Sequence, residues 1–192
     1  MIGSLIWKHC SACINWNATR IFPNVPSGKF LTLSTGVLTP TSRGSITINA
    51  TVLDVFAPPV IDARTLSSRF DFLAMREAIK TALRFTSASA WDGYILGPAD
   101  NLAAAMESDD ALDEYIRTIG GPNEHVVGTA SMTSPNADYG VVNPDLLVKN
   151  VKGLRIVDAS VLPLVTAGHT MAPVYIVAER ASSLIKEKWE GH

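Results

Sequence analysis

The chain has 192 residues, 47% of them hydrophobic and 18% charged, with a formal net charge of −2. That composition supports a sizeable core and excludes a disordered chain. There is no basic stripe and no aromatic–basic interleaving, which excludes an electrostatic case for nucleic acid, and no apolar run reaches the ~18 residues of a membrane span.

Residues 1–22 carry no clear period, and residues 1–28 are expected to form a poorly specified leader. The apolar run from Ile2 to Trp7 is too short for a signal peptide, and Lys8 and His9 follow it directly. Cys10 and Cys13 form a single C-x-x-C, the spacing of a redox pair or of half a zinc site. No βαβ pattern surrounds them, no second pair exists, and His9 alone does not complete a zinc shell. They are expected to be incidental, and no metal site is expected. Asn17-Ala18-Thr19 and Asn49-Ala50-Thr51 are N-glycosylation sequons, which fit a secreted parent protein.

From Lys29 the pattern sharpens. Leu31, Leu33, Thr35 and Val37 alternate with smaller or polar residues, as in a strand, and Ile46 and Ile48 alternate with Thr47 and Asn49. The two segments, joined by the turn-rich stretch from Pro40 to Gly44, are expected to pair as antiparallel strands. Pro58-Pro59 then leads into an extended segment. Over residues 68–85, Phe72, Met75, Ile79 and Leu83 recur at helical spacing, and Ser68 or Asp71 can cap the start. Phe72 and Met75 are expected to serve the core. Trp91 to Asn101 reads as a loop.

Ser108 is placed to cap a second helix whose apolar face is Leu112, Tyr115, Ile116 and Ile119, and Gly120-Gly121-Pro122 ends it. Asp109 and Asp110 could be a metal pair, but in a first helical turn they suit the positive end of the dipole. Short apolar runs at Val141-Val142 and at 146–148 flank Asn143-Pro144-Asp145. Leu154 to Val157 reads as a buried strand ending on Asp158. A last helix begins near Ala172-Pro173, with Val174, Val177, Ala181, Leu184 and Ile185 as its stripe. The mixed order of elements predicts an α+β fold with a final strand–helix unit.

Candidate chemistry centres on His125 and His169, both in loops of small residues. Imidazole exchanges protons near neutral pH, so a positioned histidine can serve as a base. No G-x-S-x-G marks Ser131 or Ser160 as a nucleophile, and no H-E-x-x-H marks a metal site. A carboxylate at a buried strand end, as expected for Asp158, needs a hydrogen bond, from a cofactor hydroxyl or from a nearby backbone N–H. The helix start at Thr170 favours negative charge.

Five segments come in a telling order: 125–132, His-Val-Val-Gly-Thr-Ala-Ser-Met; 140–146, Gly-Val-Val-Asn-Pro-Asp-Leu; 153–163, Gly-Leu-Arg-Ile-Val-Asp-Ala-Ser-Val-Leu-Pro; 168–175, Gly-His-Thr-Met-Ala-Pro-Val-Tyr; and 178–181, Ala-Glu-Arg-Ala. Together they resemble the C-terminal part of the glucose–methanol–choline (GMC) flavin oxidoreductases, and within them the aryl-alcohol oxidases. The resemblance runs from about Lys29 to Lys188.

The resemblance implies an antiparallel-sheet substrate domain with packed helices over residues 29–150. It implies that residues 151–192 supply the closing strand and helix of an FAD-binding α/β domain. It also implies oxidation of a small-molecule primary alcohol, aromatic in the aryl-alcohol oxidases, by hydride transfer to FAD. His125 matches the base and His169 the partner that holds the substrate oxygen. Asp158 and Ala159 match the turn beside the flavin's ribityl and phosphate region. Thr170 and Met171 match the helix start beneath its pyrimidine edge. Met171 stands where many members have glutamine, Val126 where proline is common and Asn143 where aspartate is common. The G-x-G-x-x-G unit that seats the adenosine half of FAD does not occur in these residues. Weak or absent FAD binding is therefore expected of the chain alone, and the alternative to an enzyme portion is an inactive truncated product or an interaction product.

Overall fold

The computed structural model describes residues 4–7, 30–52, 54, 56–98, 101–121 and 125–190. Cys10, Cys13, His9, the Asn17 sequon and His192 lie outside them. In chain order the elements are β1 (Ser4–Trp7), β2 (Phe30–Thr32), β3 (Ser45–Thr47), β4 (Val60–Asp62), α1 (Arg69–Thr86), a 3₁₀ turn (Ser89–Trp91), β5 (Ile95–Pro98), α2 (Leu102–Ala105), α3 (Asp109–Ile119), a second 3₁₀ turn (Ala159–Val161) and α4 (Met171–Glu190). The chain is α+β, with short antiparallel sheets and packed helices, and it divides into two compact units: residues 1–37 with 66–121, and residues 38–65 with 122–192.

In the first unit, β2, β1 and β5 form an antiparallel sheet with β1 in the middle, Leu5 facing Leu31 on one side and Pro98 on the other. The helices beside it follow their sequence periods. The Ser68 hydroxyl accepts the Phe70 N–H and starts α1, and the Ser108 hydroxyl accepts the Ala111 N–H and starts α3. Met75 and Ile79 of α1 bury against Leu102 and Ala105 of α2 and Leu112, Tyr115 and Ile116 of α3, with Phe72 and Leu83 half-buried beside them. Each fully buried Ile or Leu is worth ~1.5–3 kcal/mol, so this cluster carries the unit. The core role expected of Phe72 and Met75 holds. The loop expected over Trp91 to Asn101 instead contains β5, and α2 follows at once.

Asp109 of α3 takes part in ion pairing. Its carboxylate accepts from Arg76 Nη1 at 2.7 Å and Lys80 Nζ at 3.3 Å, while Asp113 takes Arg76 Nε and Nη2 in a fork at 2.6 Å each. The Arg76 hydrogen bonds hold the Asp113 carboxyl below its ordinary range, against the opposing effect of burial. Because the native value lies below the unfolded one, the contribution of this pair is full above the ordinary carboxylate range. It is lost as pH falls through that range toward the native value. Asp113→Asn is thus expected to lower Tm near neutral pH, with the gap to the unsubstituted chain closing on acidification. A gap constant with pH would contradict this.

In the second unit β3 pairs with β4, Ile46 facing Ile61, and all six residues of this hairpin are exposed. The expected pairing of residues 46–48 with 31–37 is therefore wrong: period-two alternation marks a strand but does not name its partner. The unit's core is Val142, Leu146, Val161 and Ala181, with Met132, Val148, Ile156 and Val177 against it. Asn143-Pro144-Asp145-Leu146 makes the tight link between the runs at 141–142 and 147–148. The Leu146 N–H bonds the Asn143 carbonyl at 2.8 Å and the Asn143 N–H bonds the Leu147 carbonyl at 2.9 Å, with Val142 and Val148 bridged. This is a type I turn closed by a left-handed residue, Leu146 at φ +67°.

The buried strand expected over Leu154 to Val157 is not formed as such. Leu154 is exposed, and the segment makes two ladder bonds only, the Val148 N–H to the Leu154 carbonyl and the Ile156 N–H to the Leu146 carbonyl. Three apolar residues interrupted by Arg155 fit a strand or a packed extended segment equally well. α4 buries Ala181 and leaves Val174, Val177 and Leu184 half-buried. Met171, Tyr175, Ile176 and Trp189 are exposed along it.

Candidate active site

His125 and His169 both belong to the second unit, and several local features fix where they stand. Downstream of His125, Gly128 takes φ +87°, and a Cβ there would sit 3.2 Å from the Leu162 carbonyl. A left-handed backbone this close to a neighbouring chain segment is accessible mainly to glycine. The Ala130 N–H then bonds the Ser160 carbonyl and the Met132 N–H the Val161 carbonyl, both at 2.9 Å. These bonds fasten the segment after His125 to the turn before His169. The hairpin at 141–148 backs it, since the Val141 N–H bonds the Ser131 carbonyl at 2.8 Å.

The Lys149 ammonium adds a fastening that sequence reasoning did not pick out. It donates to the carbonyls of Ser134, Ala137 and Tyr139, at 3.1, 2.9 and 2.9 Å. A lone lysine in a loop gives no signal of such a role. Three charge-assisted bonds from one ammonium hold the 134–139 turn shut.

On this frame His125 Nε2 lies 3.0 Å from His169 Nδ1, with the rings tilted at 42° and their centroids 5.1 Å apart. The two residues are 44 apart in sequence. One nitrogen donates and the other accepts, so at least one ring carries its proton on the bonded nitrogen. His125 is half-buried and His169 exposed. Such a pair can take a proton from a hydroxyl and hold the resulting oxygen.

Asp158 does not end a buried strand. It is exposed and caps the 3₁₀ turn, its Oδ1 accepting the Ser160 N–H at 2.7 Å. The backbone partner considered for it from sequence is therefore present, while its Oδ2 bonds nothing among the described residues. Ala159 opens that turn. Thr170 directly precedes α4, and its carbonyl accepts the Val174 N–H at 3.1 Å. Met171 is exposed, and the first turn of α4 has no acidic residue to compete for its N–H groups. Among the described residues no three of His, Cys, Asp and Glu converge as a metal site, and no helix is long and apolar enough to cross a membrane.

Residues 40–178 match the family model for GMC oxidoreductase. The chain belongs to the GMC oxidoreductase family. It is 47% identical over 165 residues to the dehydrogenase eriK of Hericium erinaceus, covering 83% of this chain and 27% of that protein. It is 42% identical over 166 residues to pyranose dehydrogenase 3 of Leucoagaricus meleagris, covering 84% and 26%. A solved structure of a fungal aryl-alcohol oxidase superposes with a TM-score of 0.68 at 35% identity, over 80% of this chain and 25% of the other. This GMC chain thus spans about a quarter of the length of the curated relatives it matches. The family includes FAD-dependent oxidoreductases acting on alcohols and sugars.

Proposed function

We propose that this chain supplies the substrate-side histidines of an FAD-dependent oxidoreductase acting on a primary alcohol, aryl or sugar. The observation that carries this reading is the 3.0 Å approach of His125 Nε2 to His169 Nδ1. An alcohol oxygen approaching from the open side of the pair would reach both nitrogens by displacing the direct bond between them. His125, half-buried, takes the hydroxyl proton at Nε2, and His169 holds the oxygen through Nδ1. Gly128 and the two bonds from Ala130 and Met132 keep the rings in register while the proton moves.

The residues present also fit part of a flavin. The Oδ2 of Asp158 suits a cofactor hydroxyl, Ala159 adds only a methyl group beside it, and the N–H groups of Met171 and Ala172 at the start of α4 suit an anionic edge. Flavin bound there supplies the acceptor for the carbinol hydride. No G-x-G-x-x-G occurs in the sequence to hold an adenosine half, so residues 1–192 alone are proposed to bind FAD weakly or not at all.

Two measurements test these statements. The chain mixed with FAD and desalted is expected to emerge colourless; retained flavin absorbance would overturn the statement on affinity. Residues 40–178 grafted in place of the matching segment of pyranose dehydrogenase 3 set the two histidines within the rest of a family member. That chimera is expected to bleach its flavin anaerobically when given a primary alcohol or a sugar. A folded, flavin-loaded chimera that no alcohol bleaches would sink the proposed function.

A further inference from the structure

The sequon at Asn49-Ala50-Thr51 stands in a setting that the alcohol chemistry does not use. It follows β3 after Ile48, in a turn closed by the Val52 N–H on the Asn49 backbone carbonyl at 3.4 Å. Ala50 and Thr51 are exposed and Asn49 is half-buried. The Asn49 side-chain oxygen accepts twice, from the Thr51 N–H at 3.2 Å and from the Thr51 hydroxyl at 2.6 Å. Its amide nitrogen, Nδ2, donates to no group among the described residues.

We propose that Asn49 carries an N-linked oligosaccharide, so that this face of the protein matures in a secretory lumen. The sequence requirement is met: the middle residue is Ala50, and Val52 follows, so proline occupies neither place. The step takes an oligosaccharide from a polyprenyl-pyrophosphate-linked donor. The bond from the sugar's anomeric carbon to the pyrophosphate oxygen breaks, a bond from that carbon to Asn49 Nδ2 forms, and Nδ2 gives up one proton as the polyprenyl pyrophosphate leaves. No oxidant or reductant is needed.

The folded geometry accommodates the product. The new bond forms at Nδ2, so both hydrogen bonds to the side-chain oxygen survive and the turn keeps its shape. The sugar also changes what the hairpin presents to solvent. β3 and β4 are exposed throughout, and in the connection between them Ile48 and Phe56 are 90% and 89% exposed. A two-stranded ladder with apolar residues at its tip is an edge that can template association with another copy. A hydrated oligosaccharide at Asn49 blocks that approach.

The test uses the protein purified from the cells that make it. Trypsin releases residues 44–64 as one peptide, since no lysine or arginine lies between Arg43 and Arg64. Treatment with a peptide N-glycosidase in heavy-oxygen water is expected to convert Asn49 into an aspartate carrying the heavy label. Without that treatment the unmodified peptide should be missing. Thr51→Ala, which removes the sequon at an exposed turn position, is expected to abolish the label, and Thr51→Ser to keep it. Recovery of residues 44–64 with Asn49 unmodified overturns the proposal, and so does label confined to Asn17. Label that persists in Thr51→Ala overturns it too, by showing deamidation in place of glycan removal.

Discussion

His125→Ala in the pyranose dehydrogenase chimera is expected to slow anaerobic flavin reduction by ~10²–10⁴-fold, the range of a positioned general base. That corresponds to ~3–5 kcal/mol of barrier at 1.36 kcal/mol per tenfold. The dissociation constant of an unreactive alcohol analogue should change far less, because the hydroxyl remains within reach of His169. His169→Ala removes the group 3.0 Å away, and the rate is expected to fall while binding of the analogue also weakens. His169→Asn separates position from protonation. An amide offers both a donor and an acceptor, so it can hold the oxygen beside His125 whichever tautomer is present. The Asn variant is expected to recover most of what the Ala variant loses. Reduction at an unchanged rate in His125→Ala would remove the base assignment, and equal losses in Ala and Asn at position 169 would remove the holding role.

The two long helices of the first unit are legible in the sequence, because α1 and α3 contain 18 and 11 residues. That length shows several turns of the apolar period, and Ser68 and Ser108 stand at the caps where sequence places them. Elements of three or four residues were another matter. β1 and β5 hold four residues each, two repeats of the strand period, and α2 is a single helical turn, too little for any pattern to distinguish them from loop. The partner of β3 was misread for a related reason: pairing is decided by which edges meet, and the chain between Ile48 and Val60 gives no turn signal as compact as the one before Ser45. Leu154 to Val157 was misread because apolarity reports burial on average, and its first residue turned out to be exposed.

The approach of the two histidines was legible in a different way. Spacing does not bring two histidines 44 residues apart together; their pairing came from an ordered set of motifs, and only the folded chain supplies the 3.0 Å. Asp158 shows the opposite case. Its carboxylate was expected at a strand end, yet an aspartate two residues before a free N–H is also a local cap, and the Asp158-Ala159-Ser160 sequence was sufficient to form one. Lys149 holds the 134–139 turn and Gly128 lies against Leu162, and neither residue's neighbours in sequence reveal what it touches.

Leu146 is where stability and the site meet, and substituting it should give the largest loss of stability in the second unit. It is 1% exposed and adopts φ +67°, a backbone region that costs an L-residue ~1–2 kcal/mol. Packing against Val142, Val161 and Ala181 outweighs that strain, since emptying a buried leucine site costs ~2–5 kcal/mol. Leu146→Ala keeps the strained backbone and loses the side chain, so it should lower unfolding free energy by about that amount. Leu146→Gly loses the same packing but relieves the strain. Ala→Gly ordinarily destabilises by ~0.5–1 kcal/mol. Here the relief of ~1–2 kcal/mol offsets that, and the Gly variant is expected to be at least as stable as the Ala variant. Denaturant unfolding of both decides it: a Gly variant weaker by the ordinary margin would mean that residue 146 is not held left-handed. The hairpin that Leu146 closes backs the Ser131 carbonyl, which lies six residues after His125. Either substitution in the chimera should therefore lower the fraction of molecules with paired histidines, and leave the reduction rate of the folded remainder near its original value.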